Sequence, residues 1–224
     1  MYRDQGFMNA LGETLKLDRP LVLATRNRGK MAEFKELFGG TAIELRSLDD
    51  FGPIPPVVED GGTFEDNAVI KARFTARVLG LPAIADDSGL TVKALGGEPG
   101  VFSARYAGEG ATDRENNLRL LERMKGITER EAAFTCILAI AVPRGPALVY
   151  EGICSGLVSE GLSGDEGFGY DPLFYYPPLK KTFARMTQAE KNRVSHRGKA
   201  MAELKGELEK VCIWLRQRLS EEPF

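Results

Sequence analysis

The sequence contains one histidine, His196. A single imidazole excludes multi-histidine zinc sites and HExxH chemistry, which need two or more ring nitrogens on one ion. Cysteine is nearly as scarce. Cys136, Cys154 and Cys212 are odd in number, and their spacing fits neither a zinc knuckle nor a redox pair. Cys136 and Cys154 lie in apolar, β-rich runs and read as small core residues in a reducing compartment. No stretch reaches the roughly 18 apolar residues of a membrane span. The first 19 residues hold Asp4, Glu13 and Asp18 and no apolar block, unlike a signal or transit peptide. A cytoplasmic protein with no membrane partner is expected. Positive charge is not in excess: 30 basic and 32 acidic residues leave a formal charge of -2. Polymeric nucleic acid is therefore not an expected partner. The GxxxxGKS/T loop is also missing, which disfavours a P-loop fold.

What is present suits one globular domain. Hydrophobic residues make up 43% of the 224 and charged residues 28%, enough for a substantial core. Leu21-Val22-Leu23-Ala24 reads as a buried strand leading into a helix with Met31, Phe34, Leu37 and Phe38 on one face. Ile43-Glu44-Leu45 reads as a second strand. Thr63 to Asp66 resembles a capping box and opens a helix to about Leu79, stopped by Gly80 and Pro82. Pro82 to Ala85 reads as a strand ending in an Asp86-Asp87-Ser88-Gly89 turn. Thr112 and Glu115 cap another helix. Ala132–Val142 and Ala147–Ser159 flank Pro143-Arg144-Gly145-Pro146 as a long hairpin. A final helix after Ser195 carries Leu204, Leu208, Val211 and Leu215 on one stripe, which reads as core before dimer surface. The pattern is α/β with a mixed sheet.

Four polar segments stand at the ends of these elements. Thr25-Arg26-Asn27-Arg28-Gly29-Lys30 is a strand-to-helix turn whose free N–H groups and helix dipole suit phosphate; alternatively, Asn27 is a plain N-cap. Asn67 and Lys71 lie i, i+4 on one helical face, either toward phosphate or toward solvent. Glu59, after a proline-rich loop, is either a metal ligand or merely exposed. Asp86 and Asp87 carry the strongest signal. Adjacent carboxylates repel, and a divalent cation relieves that repulsion while drawing triphosphate oxygens to the same place. With one histidine, such an ion would be held by carboxylates and phosphates, which points to Mg²⁺ or Mn²⁺. A plain Asx-turn is the alternative. Finally, Gly167-Phe168-Gly169-Tyr170-Asp171-Pro172 offers rings on which a base could stack, or simple core packing. Lys191 and Ser195-His196-Arg197 lie nearby; a basic pair at a helix N-terminus calls for an anionic or acceptor-rich neighbour.

Taken in order, these segments resemble one family. Thr25-x-Asn27-x-x-Lys30, Phe64-x-x-Asn67-x-x-x-Lys71-Ala72 and Ala85-Asp86-Asp87-Ser88-Gly89-Leu90 come first. They are followed by Leu95-Gly96-Gly97-x-Pro99-Gly100, Ser103-Ala104-Arg105-Tyr106, Gly167 to Pro172 and Ser195-His196-Arg197. Together they are similar to the inosine/xanthosine triphosphate pyrophosphatases, over about Leu21 to Leu219. The resemblance implies an elongated mixed sheet with flanking helices, in two lobes around a central nucleotide cleft. Residues 21–219 would form that single domain, 1–20 an extension outside it, and 220–224 a tail. It implies Mg²⁺-dependent hydrolysis of noncanonical purine nucleoside triphosphates (ITP, dITP, XTP) to monophosphate and pyrophosphate, by a homodimer.

Residue by residue, the resemblance makes Asp87 the proton acceptor and a metal ligand with Glu59, and Asp86 a possible helper at the metal. Thr25, Asn27, Lys30 and Lys71, with the rest of the first loop (Arg26, Arg28, Gly29), would hold the triphosphate, and Ser88 would touch substrate beside the metal. Phe168 would stack on the purine. Gly169, Tyr170, Asp171, Lys191, His196 and Arg197 would line the base pocket. The purine C6 oxygen would accept from Arg197, His196 or backbone N–H groups that an amino group would leave unpaired. A pyrimidine-directed house-cleaning pyrophosphatase is the enzymatic rival. A nucleic-acid-binding module or a nucleotide sensor is the rival from another class.

Overall fold

The computed structural model describes residues 16–221; residues 1–15 and 222–224, and the side chains of Arg28 and Leu37, lie outside that description. Most of the expected extension and tail therefore falls beyond the described residues. The elements are β1 (Leu21–Leu23), α1 (Arg28–Phe38), β2 (Leu45–Ser47), α2 (Phe64–Leu79) and β3 (Ala83–Val92), followed by α3 (Asp113–Arg123), β4 (Glu131–Ala141) and β5 (Ala147–Val158). Then come β6 (Phe174–Tyr176), β7 (Lys181–Thr182), α4 (Gln188–Val194), α5 (His196–Gly206) and α6 (Leu208–Ser220). The strands form one seven-stranded open sheet in the order β2-β1-β3-β4-β5-β6-β7. β1 runs parallel to β2 and β3, and every other pair is antiparallel. This is the mixed α/β sheet with flanking helices that the sequence pattern implies.

The capping chemistry is where the sequence puts it. Thr63 accepts from the Asp66 N–H at the start of α2, and Gly80 ends that helix. Thr112 and Glu115 form a full capping box on α3. The β4–β5 hairpin has Ala141 opposite Ala147 across the expected turn.

Three readings need correction. The acidic segment is not a turn. β3 runs straight through it to Val92, with Asp86 opposite Leu138 and Asp87 opposite Ile137 on β4. A switch from apolar to charged residues looks like a strand end in one dimension, but β4 satisfies the backbone here and cations satisfy the side chains. The second strand is Leu45–Ser47 rather than Ile43–Leu45, set by its parallel pairing with β1. The last helix is two helices broken at Glu207. Its stripe is core, as expected: Leu204, Leu208, Val211 and Leu215 are buried in one cluster with Leu21, Ile84 and Leu138.

Strand alternation divides the interior. On one sheet face, Ile84 and Ile140 join the cluster under α1, α5 and α6, while Leu90, Val92 and Phe134 join a second cluster with Leu120, Phe174 and Phe183. Asp86 and Ser88 lie on that same face between the two. On the opposite face, Ala83, Ala85, Ile137 and Ala139 pack beneath α2, and Asp87 follows them. The long strands thus link two apolar regions across a polar strip.

α5 approaches β5 so closely that a Cβ at Gly152 would lie 2.1 Å from the His196 carbonyl oxygen and 2.6 Å from the Ala200 nitrogen. Backbone atoms cannot yield as a side-chain tip can. Gly152→Ala should therefore destabilise the protein by about 1–3 kcal/mol, read as a lower urea midpoint. An unchanged midpoint would contradict this packing.

Candidate active site

A cleft of about 690 Å³ opens over the polar strip. Its lining includes Thr25, Arg26, Asn27, Lys30, Glu59, Lys71, Asp86, Asp87 and Ser88, together with Phe168, Gly169, Tyr170, Asp171, Lys191, His196 and Arg197. Segments far apart in sequence meet there because the loop after β1, the strand β3 and the helices α1, α2 and α5 all contribute side chains to its lining. Gly29 stands just behind the lining, where an added Cβ would come 3.3 Å from the Phe168 ring. The Arg28 side chain lies outside the described residues. Arg26 is largely exposed, 4.0 Å from Asp49.

At the first loop, the Thr25 hydroxyl accepts from the Asn27 N–H at 3.1 Å. Asn27 then caps α1 by accepting from the Lys30 N–H at 3.1 Å, so the plain N-cap reading of Asn27 describes its geometry. Lys30 is not a solvated surface group. Its ammonium donates to Asp86 Oδ1.

Asp86 is fully buried and saturated. Arg197 Nε donates to Oδ2 at 2.8 Å, Ser88 Oγ to Oδ1 at 2.9 Å and the Cys136 thiol to Oδ2 at 3.2 Å. Burial alone would raise its pKa, and Arg197 and Lys30 reverse that, holding the carboxyl well below the usual range. The same burial and the Asp86 charge push the Cys136 thiol up, so it stays protonated as a donor. Each Arg197 nitrogen has an acceptor: Nε Asp86, Nη1 Glu33 at 3.0 Å and Nη2 Ser88 Oγ at 3.4 Å.

Asp87 faces the other way, toward α2. Lys71 Nζ lies 2.5 Å from Asp87 Oδ1 and 3.1 Å from Glu59 Oε2, so the lysine bridges the two carboxylates. Burial raises the Asp87 pKa, and Lys71 only partly offsets it. For Lys71, burial is outweighed by Asp87 and Glu59, and its pKa rises. Asn67, one turn before Lys71, accepts from the Gly61 N–H at 2.9 Å and so anchors the loop that carries Glu59.

These donors suit a hard divalent ion. Side-chain exposure is 36% for Glu59 and 14% for Asp87, against 0% for Asp86, so Glu59 and Asp87 are the carboxylates that reach the open cleft. Among the described residues no group of three or more His, Cys, Asp or Glu is preassembled as a metal cage.

The far end of the cleft is aromatic and cationic. The Phe168 ring lies over Lys191 Nζ at 4.8 Å and the Arg197 guanidinium at 5.5 Å. Lys191 is buried and paired with Asp171 Oδ2 at 2.5 Å, and the same oxygen accepts from the Phe168 N–H at 2.9 Å. Burial still pushes the Asp171 pKa up. His196 is not a surface residue. It is buried, stacked on Phe134 at 4.6 Å, and its Nδ1 has no partner. Burial, then the Arg197 charge, holds its imidazole well below the usual range and therefore neutral.

Sequence reading missed Glu33, Phe134 and Cys136. Glu33 could have been suspected from its i, i+3 spacing to Lys30 on α1. Phe134 and Cys136 looked like ordinary core residues, and only the register of β4 against β3 reveals them.

An open mixed sheet, with cations and carboxylates at one end of its cleft and a ring with an unpartnered imidazole at the other, defines an α/β protein suited to a phosphorylated aromatic ligand. Comparisons with known proteins narrow this. The model of the Ham1 family matches residues 21–207, and the chain belongs to that family. The dITP/XTP pyrophosphatase of Desulfotalea psychrophila is 58% identical over 202 residues, covering 90% of this chain and 91% of its own. That of Thermus thermophilus is 53% identical over 186 residues, covering 82% and 89%. Among solved structures, the Ham1 protein of Staphylococcus aureus matches with a TM-score of 0.80 at 40% identity, over 86% of this chain and 100% of its own. A HAM1 protein from Coxiella burnetii gives 0.81 at 41% identity, over 86% and 99%.

Asp86→Asn keeps the shape but leaves Lys30 and Arg197 short of a buried counter-ion, a loss of about 3–5 kcal/mol. Because the folded pKa of Asp86 is depressed, its contribution is present above the ordinary value of 3.8 and is lost as pH falls through the folded value. Urea unfolding should thus show the variant less stable by a constant margin from pH 8 to pH 5. Equal stability at pH 7 would remove Asp86 from this role.

Proposed function

We propose that this protein hydrolyses noncanonical purine nucleoside triphosphates, ITP, dITP and XTP, to the monophosphate and pyrophosphate, cleansing the nucleotide pool. One observation carries the reading: the Glu59–Lys71–Asp87 group and the Phe168–Lys191–His196 end line a single cleft of about 690 Å³. The dITP/XTP pyrophosphatase relatives support the choice of substrate.

The triphosphate lies toward Lys30, Lys71 and the first loop, where Thr25, Asn27 and the N-terminus of α1 offer donors. Glu59 and Asp87 would hold Mg²⁺, with Mn²⁺ as a substitute. Bound there, the ion supplies charge neutralisation and polarises phosphate oxygens. Asp87 orients a water and accepts its proton, and Lys71 keeps the carboxylate aimed while offsetting charge on the phosphates. Ser88 touches the substrate beside this group.

The purine stacks on Phe168, with Gly169, Tyr170 and Asp171 shaping the pocket. Arg197 spends its nitrogens on Asp86, Glu33 and Ser88, so it acts by support. The donors for the C6 oxygen fall to His196, neutral with an unpartnered nitrogen, and to backbone N–H groups. A pocket left with an unpaired donor can reject the wrong base by about 10⁴-fold.

The reading includes a homodimer, a cytoplasmic location and a single two-lobed domain over 21–219. Among the described residues no helix is long and apolar enough to cross a membrane.

An Mg²⁺-dependent pyrophosphate-release assay across ITP, XTP, dUTP and dTTP tests the reading, and preference for the pyrimidines would overturn it. Asp87→Asn should lower kcat by about 10²–10⁴-fold while the protein still folds. Phe168→Ala should raise KM for ITP by about threefold to tenfold through lost stacking, with a smaller change in kcat. An unchanged KM would return Phe168 to a packing role.

A further inference from the structure

Gly169 sits between the two rings of the base-stacking loop with φ of +61°. That left-handed conformation favours glycine and turns both of its backbone polar groups out of any regular ladder. Both are captured by α3. Asp113 Oδ2 accepts from the Gly169 N–H at 2.6 Å, and Asn117 Nδ2 donates to the Gly169 carbonyl at 2.7 Å. Asp113 and Asn117 are one helical turn apart, on one face, and Asn117 Nδ2 also donates to the Asp113 carbonyl at 2.7 Å. The residue just before Asn117 serves the opposite rim. Asn116 accepts from the Ala107 N–H at 2.8 Å and donates to the Ala104 carbonyl at 3.1 Å. The two rims are tied directly as well, since the Tyr170 hydroxyl donates to the Ser103 carbonyl at 2.9 Å.

We propose that Asp113 and Asn117 are positioning residues for base recognition: by gripping both peptide groups of Gly169 they fix the stance of Phe168 in the cleft. Neither residue belongs to the acidic strand or to the first loop, and neither was singled out by the motifs. An acid in the first turn of a helix and a buried asparagine have ordinary structural explanations, the helix dipole and a local cap. Those explanations do not require two side chains four residues apart to share the N–H and C=O of one glycine 52 to 56 positions away. The grip acts on the base and not on the phosphates, because Gly169 adjoins Phe168 while Lys30 and Lys71 are held by Asp86 and Asp87.

This rests on the proposed pyrophosphatase reading for its kinetic arm and is independent of it for its structural arm. Asp113 is exposed, so Asp113→Ala should fold; it is measured beside Asp113→Asn, which keeps an acceptor for the Gly169 N–H, and Asn117→Ala. Loss of a hydrogen bond to a charged group should raise KM for ITP by about tenfold in Asp113→Ala, with kcat within about threefold. Asp113→Asn should recover most of the loss. The inhibition constant of inorganic tripolyphosphate, which has no base, should stay unchanged. Equal weakening of ITP and tripolyphosphate, or an unchanged KM in both alanine variants, would overturn the proposal. Amide hydrogen exchange gives the second arm. The Gly169 amide should exchange faster in Asp113→Ala while β3 and β4 amides do not, and unchanged protection at Gly169 would overturn the grip itself. If the wild type releases no pyrophosphate from ITP, the functional reading fails and the exchange result still decides the proposal.

Discussion

The structure turns on one buried carboxylate. Asp86 receives Lys30 from α1, Arg197 from α5, Ser88 from its own strand and Cys136 from β4. Burying a charge is expensive, and pairing offsets that expense only when every lone pair finds a partner. Here they do, and Glu33 takes the second arm of Arg197. The network thereby fixes where α1 and α5 begin relative to the sheet. Those two helix starts carry the first loop and the Ser195-His196-Arg197 corner, so the ends of the cleft are set by an interaction at its floor.

The two adjacent aspartates illustrate how a strand separates what a sequence joins. In a strand, neighbouring side chains point to opposite faces. Asp86 goes to the face of α1 and α5, where cations saturate it, and Asp87 goes to the face of α2, where Lys71 and Glu59 await. Their repulsion is relieved by the sheet between them and by separate cations. The same alternation sorts their protonation: Asp86 is held strongly ionised, while burial makes Asp87 the weaker acid. Those opposite settings suit the proposed proton acceptor at Asp87 and the buried ion pairs that hold two helices at Asp86.

The aromatic end follows a related logic with neutral groups. Phe134 stacks on His196 and excludes water from it, which keeps the imidazole uncharged beside Arg197. Under the proposed reading, a neutral ring with an unpartnered nitrogen meets a base edge without adding charge to a pocket that already holds Lys191 and Arg197. Lys191 is neutralised by Asp171 and still lies against the Phe168 ring, an arrangement that stiffens the loop bearing that ring.

Much of this was written in local chemistry. The caps at Asn27, Thr63 and Thr112, the stop at Gly80, the hairpin around Pro143 to Pro146 and the buried stripe from Leu204 to Leu215 depend on near neighbours and on periodicity, which a sequence displays directly. So do the polar segments that line the cleft, because their residue types and order are visible without coordinates. The continuation of β3 through Asp86 to Val92, the break at Glu207, and the parts taken by Glu33, Phe134 and Cys136 were decided only by tertiary structure. Apart from that break, each depends on a partner distant in the chain: β4 to pair the charged strand, α5 to bring Arg197 to Asp86 and Glu33, the register of Phe134 against the helix bearing His196. Chain-local physics fixes which groups are available, whereas long-range packing fixes which of them meet, and at Asp86 that meeting also decides which aspartate keeps an accessible face on the cleft.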